Sequence, residues 1–146
     1  LAGYAGREMG VSDWLDVPQA RIDRFADATG DHQWIHVDVA RAKTEMPNGK
    51  TIAHGYLTLA LIPALTGKFV KVENLTRAVN FGLNKVRFYV PIPVGSRLRG
   101  RATVLQARQR AGALLLTSQV RIEVEGQRKP ACIAETLGMF FFETDD

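Results

Sequence analysis

Cysteine is nearly absent from this sequence. Cys132 stands alone, so the chain can close no disulfide on itself and offers no thiolate cluster to a metal. That agrees with a reducing, cytoplasmic setting. A membrane-spanning run is missing too: the longest strongly apolar stretch, Tyr56 to Leu65, is about half of what a helix needs to cross a bilayer. No basic-then-apolar segment opens the chain, so neither secretion nor a membrane partner is expected. Since it begins on Leu1 rather than Met, the sequence is expected to be preceded by further residues. Charge of one sign is scarce as well. Nineteen Lys and Arg against fifteen Asp and Glu leave +4, an excess that favours an anionic ligand but is too small for a nucleic-acid binder. No repeat, low-complexity tract or linker breaks the 146 residues, and 46% hydrophobic content is enough for a core, so residues 1–146 are expected to form one domain.

Helical signals fill the first half. Asp16 is placed to cap a helix over Pro18 to Thr29, with Ile22, Phe25, Ala26 and Thr29 at helical spacing and Gly30 as its stop. Asp38 can cap a second, short helix over Val39 to Lys43, before Met46-Pro47-Asn48-Gly49 forces a loop that is a candidate lid. From Gly55 to Thr66 the residues are apolar on nearly every side, which predicts a helix wrapped by other structure and bent at Pro63. After Arg77 the period changes to two. Val86 and Phe88, then Leu98, Ala102 and Val104, alternate with polar neighbours; turns at 91–95, 111–112 and 125–127 separate these from strands over 113–125 and 131–142. The pattern predicts an α+β fold: a long antiparallel meander wrapped around one central helix, a hot-dog arrangement.

Chemistry-bearing residues collect in Ala28-Thr29-Gly30-Asp31-His32-Gln33-Trp34-Ile35-His36, between the first two helices. A carboxylate at Asp31 and an imidazole at His36 can face one small volume and exchange protons with a substrate and a water. The bland alternative has Asp31 satisfying backbone donors near a turn and His36 packed in the interior. The second segment, Ile52-Ala53-His54-Gly55-Tyr56, opens the buried helix, where free N–H groups can hold a developing oxyanion and a glycine lets a ligand carbonyl come close. Its bland alternative is that Gly55 serves packing. Lys85, Arg87, Arg97, Arg99 and Arg101 form a basic row on alternating strand positions, read for the most part as a solvated sheet face. His32, His36 and His54 match no helical metal motif, and no metal site is expected.

Taken in order, Thr29-Gly30-Asp31 with His36, Ile52-Ala53-His54-Gly55, Val86-Arg87-Phe88 and the turn at 91–95 resemble the MaoC-like dehydratases, or hydratase 2 proteins, and most closely the subgroup that includes nodulation protein N. The resemblance runs from about Asp13 to Phe142. It implies a hot-dog fold, commonly homodimeric, that hydrates trans-2-enoyl-CoA to (R)-3-hydroxyacyl-CoA with no metal or redox cofactor. Asp31 and His36 then stand as the catalytic pair, Asp31 activating a water and His36 holding it and protonating C2. The Gly55 N–H would hold the thioester oxygen, with His54, Gln33 and Arg87 as further substrate-binding candidates. The sequence departs from the family pattern at Gln33 and Trp34, where Asn and Pro are usual, and at Pro63, which aligns with a serine of some members. Two other functions compete with the hydratase: a hot-dog acyl-CoA thioesterase, which needs no paired histidine, and a non-catalytic acyl-thioester-binding module.

Overall fold

A computed structural model describes residues 5–69 and 73–143 of the chain. Two short strands come first, β1 at Glu8–Val11 and β2 at Leu15–Asp16. The sequence pattern had not signalled either one. Helix α1 spans Gln19–Thr29 and buries Ile22 and Ala26. Its N-cap is Pro18, with no side-chain cap, so the capping role expected of Asp16 is not filled; Asp16 instead pairs in β2 opposite Arg97. Pro18 suits the place because its fixed φ leads into the helix. The C-terminal end follows expectation, with Gly30 in the left-handed region at φ 82° returning its N–H to the Ala26 carbonyl.

One turn of helix not anticipated from the sequence, α2 at Trp34–Val37, precedes α3 at Val39–Glu45. The Asp38 carboxylate caps α3 as expected, accepting from the Arg41 N–H at 3.0 Å. The Met46–Gly49 segment is a tight turn in which Gly49 takes a φ of 67°.

The central helix is broken rather than bent. It divides into α4, Gly55–Ala60, and α5, Ile62–Thr66, with Leu61 between them. Pro63 lies in the first turn of α5, where a helix needs no donor, so the chain restarts a helix there instead of kinking a continuous one. Leu57, Leu61, Ile62 and Leu65 are buried against the sheet, but Tyr56, Ala60, Pro63 and Ala64 are exposed. The all-round wrapping expected of this segment is therefore supplied on one side only.

The sheet has six strands. After β1 and β2 come β3 (Leu75–Phe88), β4 (Arg97–Arg110), β5 (Ala113–Val124) and β6 (Cys132–Phe142), in the spatial order β1-β4-β5-β6-β3 with β2 also on β4. All ladders are antiparallel. The meander expected of the second half holds for β4-β5-β6 but not for β3, which crosses the sheet to pair with β6. The 91–95 connection is the reason: with prolines at 91 and 93 it is short of ladder donors, and Pro93 bridges to Ile52 instead of turning a hairpin.

The inner face of the sheet presents Leu98, Ala102, Val120, Ile122, Val124, Cys132 and Ala134 to α4 and α5, and Val17, Ile22, Ala53 and Ile92 complete the core. Helix α5 seats on Gly100, where a Cβ would lie 3.1 Å from the Leu65 Cβ. The outer face carries the basic row, and there Arg97, Arg99 and Arg101 are matched by Asp16, Glu8, Glu123 and Glu125. These arginines brace the strands, in line with the solvated-face reading. Burial alone would raise the Glu123 carboxyl, but the bond from Arg99 and the charges of Arg101 and Arg121 hold it below the usual carboxylate range. Among the described residues no helix is long and apolar enough to cross a membrane.

Candidate active site

Three segments meet at the N-terminal end of α4. Asp31 sits in the turn after α1, His36 on α2 and His54 at the N-cap of α4, and one ligating atom from each lies within 4.8 Å of the others. The Asp31 carboxylate is exposed. It is fixed locally by accepting from the Gln33 N–H at 3.4 Å, while the Asp31 N–H donates to the Thr29 hydroxyl at 3.4 Å. This is a side-chain turn of the kind aspartate favours, so the bland reading of Asp31 is met; one carboxylate can satisfy the turn and still present oxygen to solvent.

His36 is buried, 7% exposed. Its Nδ1 lies 2.7 Å from the Ile52 carbonyl and must carry the proton there, because a carbonyl only accepts. The neutral ring therefore keeps its lone pair on Nε2. Burial lowers the His36 pKa below the ordinary 6.5; the Ile52 bond and the Asp31 charge oppose the shift, and the neighbouring His54 adds to it. The result is a neutral imidazole at neutral pH, with a ring nitrogen within 4.8 Å of a carboxylate oxygen.

His54, 2% exposed, lies behind His36 with the ring centroids 3.9 Å apart and the planes inclined by 22°. Its Nε2 donates to the Asp31 carbonyl at 3.0 Å, and the edge of Phe25 packs on it at 4.9 Å. Its Nδ1 is buried without a partner. A metal held by Asp31, His36 and His54 is ruled out by the stack. Imidazole lone pairs lie in the ring plane and bind a metal at about 2.0–2.1 Å, and two nearly parallel planes at this separation do not converge on one ion.

The other residues singled out from the sequence fall differently. Gly55 is the first residue of α4, so its N–H belongs to the turn that has no intrahelical acceptor. The position also needs a glycine for packing, since a Cβ there would come 3.3 Å from the Phe88 ring. Gln33 has an exposed side chain, and its backbone links the pair by donating to Asp31 and accepting from the His36 N–H at 3.0 Å. Trp34 lies under the Arg41 guanidinium at 4.0 Å, which accounts for an aromatic residue at this departure from the family pattern. Arg87 is not brought to the group. Val86 and Phe88 face the core and Gly55, so the pleat turns Arg87 to the other side of β3.

Two residues that sequence reasoning passed over bear on His36, one directly and one through it. Gln19 donates from Nε2 to the His36 carbonyl at 2.7 Å, and Thr51, 1% exposed, donates to Gln19 Oε1 at 2.6 Å. Their spacing in the sequence carries no motif that could have singled them out.

Comparison with known proteins identifies the family. Residues 2–126 match the family model described as the MaoC like domain. The chain is 49% identical over 138 residues to 3-hydroxyacyl-thioester dehydratase Z of Mycobacterium tuberculosis, covering 94% of this chain and 91% of the relative. It is 43% identical over 143 residues to nodulation protein N of Rhizobium leguminosarum bv. viciae, covering 97% and 89%. In fold it is similar to the unliganded R-hydratase PhaJ1 from Pseudomonas aeruginosa, with a TM-score of 0.73 at 23% identity over 95% of this chain and 83% of that one. With a site-bearing α4 packed on one side against an antiparallel sheet, and with sequence matches along nearly its whole length, the chain belongs to the MaoC-like dehydratase family, in the branch that includes nodulation protein N.

Proposed function

We propose that the protein is an (R)-specific enoyl-CoA hydratase, adding water reversibly across the double bond of a trans-2-enoyl-CoA without a metal or redox cofactor, and that residues 1–146 act as one cytoplasmic domain. The observation that carries this reading is the approach of the Asp31 carboxylate to the neutral His36 ring at the start of α4. Separation within 4.8 Å suits a water held between two acceptors. As the water oxygen bonds to C3, one of its protons passes to the Asp31–His36 pair, and the electrons of the double bond move to the thioester oxygen. The Gly55 N–H holds that oxygen as it gains enolate charge. The pair then returns the proton to C2, so the elements of water are added and nothing else is consumed. Because Nδ1 is committed to Ile52, His36 can give a proton at C2 only after Nε2 has taken one.

In this reading His54 serves the site from behind, by holding the Asp31 carbonyl. Gln33 borders the mouth of the site. The expected contact of Arg87 with the substrate would have to be made across a subunit boundary, and a homodimer is part of the proposal. β3 is one edge of the sheet, all but one of its residues are exposed, and Val79, Phe81 and Leu83 leave apolar surface along it.

The test is the loss of crotonyl-CoA absorbance at neutral pH with chiral analysis of the product, for the native protein and Asp31→Asn. The variant keeps an oxygen to accept from the Gln33 N–H, so the turn is retained, but an amide takes no proton. The native protein is expected to form the (R)-alcohol and the variant to lose about 10²–10⁴ in kcat. Undiminished turnover in Asp31→Asn removes Asp31 from the mechanism, and no turnover by the native protein with crotonyl-CoA or longer enoyl-CoA rejects the hydratase.

A further inference from the structure

We infer that Gln19 and Thr51 are positioning residues for His36, forming a clamp that fixes both its backbone and its ring; this rests on the hydratase reading and deepens it. The hydrogen bonds close a loop. From the His36 carbonyl the path runs to Gln19 Nε2 at 2.7 Å, from Gln19 Oε1 to the Thr51 hydroxyl at 2.6 Å, along one peptide to Ile52, and from the Ile52 carbonyl back to His36 Nδ1 at 2.7 Å. The Ile52 N–H also donates to the Ile35 carbonyl at 3.0 Å, which locks the two segments in parallel with the clamp. Three stretches far apart in sequence, on α1, α2 and the approach to α4, are held in one arrangement around a single imidazole.

The amide of Gln19 can stand only one way. Its NH₂ meets two acceptors, the His36 carbonyl and the Asp23 carboxylate at 2.9 Å, and its oxygen meets a hydroxyl whose hydrogen has been directed toward it. Thr51 is 1% exposed, so its hydroxyl has no water to turn to if Gln19 withdraws. The consequence reaches the reacting atoms through the tautomer. While the Ile52 carbonyl stays in line with Nδ1, the proton is held there and Nε2 is bare; when the 51–52 segment drifts, the ring is free to rotate or to exchange tautomers, and the accepting nitrogen no longer faces the water. A misplacement of that kind acts on turnover rather than on substrate affinity.

The experiment compares the native protein with Gln19→Leu, Thr51→Val and Thr51→Ser by two measurements. Imidazole nitrogen NMR reads the His36 tautomer with no substrate present, and steady-state hydration of crotonyl-CoA reads kcat and KM. The native spectrum is expected to show a protonated Nδ1 and a bare Nε2. Gln19→Leu and Thr51→Val are expected to show mixed tautomers and a kcat lower by about 10²-fold at unchanged KM, with Thr51→Ser restoring both. An unchanged His36 spectrum in Gln19→Leu and Thr51→Val overturns the clamp, whatever happens to the rate. So does a loss confined to KM. Thr51→Val changes almost no volume and keeps the test open if Gln19→Leu fails to fold. A native protein that hydrates no enoyl-thioester defeats the hydratase reading, while the spectra still decide whether the clamp exists.

Discussion

Acidification is the most direct way to question His36. Its ring is neutral at neutral pH because burial penalises the imidazolium, and the three opposing or adding influences around it are the Ile52 carbonyl, the Asp31 carboxylate and the His54 ring. If the bare Nε2 must accept a proton from water, kcat/KM falls as the pH drops through the lowered His36 pKa, by about tenfold per unit once a single required group is protonated. The acid limb is therefore expected below pH 6.5, the ordinary histidine value. Stability carries the same sign. The unfolded chain protonates its histidine at the ordinary value while the folded one resists, so folding gains from His36 above pH 6.5 and loses that gain as the pH falls toward the folded pKa. His32 opposes this. Its bond to the Asp27 carboxylate at 2.9 Å raises its pKa, so what it adds to stability is present below pH 6.5 and disappears as the pH rises through its folded value. Initial rates with crotonyl-CoA and urea unfolding, both between about pH 5 and 8, separate the two histidines when repeated on His36→Asn and His32→Asn. His36→Asn is expected to flatten the acid loss of stability, and His32→Asn to leave the rate profile where it was. An acid limb at or above pH 6.5 in the native enzyme refutes the argument, because it would mean that the base which matters is not the buried ring.

Two further outcomes test the fold around the site. Sedimentation at micromolar concentration is expected to give a species near twice the 16.1 kDa chain mass, and the pair Val79→Lys with Leu83→Lys, which charges the free edge of β3, to give the single chain; a native monomer refutes the edge-to-edge dimer. Gly100→Ala places a methyl 3.1 Å from the Leu65 Cβ, and overpacking of about 1–3 kcal/mol outweighs the 0.5–1 kcal/mol or so that alanine recovers from glycine's backbone entropy, so urea unfolding is expected at lower denaturant. Unchanged or raised stability shows that α5 does not seat on β4 within the 3.1 Å that overpacking requires.

What could be read from the sequence was whatever is decided within a few residues. Gly30, Gly95, Gly112 and Gly126 all take positive φ at ends and turns that the sequence pattern marked. Asp38 caps α3 because a cap needs only its own first turn. Leu98, Ala102 and Val104 are buried as their alternation requires. Where several local solutions exist, the pattern failed. Asp16 and Pro18 are both acceptable before a helix, and the choice was made by Arg97 across β4, outside any local window. β1 and β2 are too short to show a period, and they exist because β4 offers them an edge. The place of β3 beside β6 depends on what β4 and β5 have already paired, which no reading of residues 75–95 contains.

The site divides along the same line. Asp31 and His36 lie five residues apart and are joined by one turn of helix, so their meeting was legible, and the Gln33 backbone that ties them is part of the same stretch. Their protonation was not. The state of His36 is set by the Ile52 carbonyl and the stacked His54 from another segment, by the burial that the sheet and α4 create together, and by Gln19 and Thr51 holding that segment in place. A motif can nominate an acid/base pair. Whether the pair can accept a proton depends on long-range contacts that fix which nitrogen is bare, and for that reason a change at Gln19, outside the motif, is expected to lower turnover by about 10²-fold, the lower end of what a change within the motif costs.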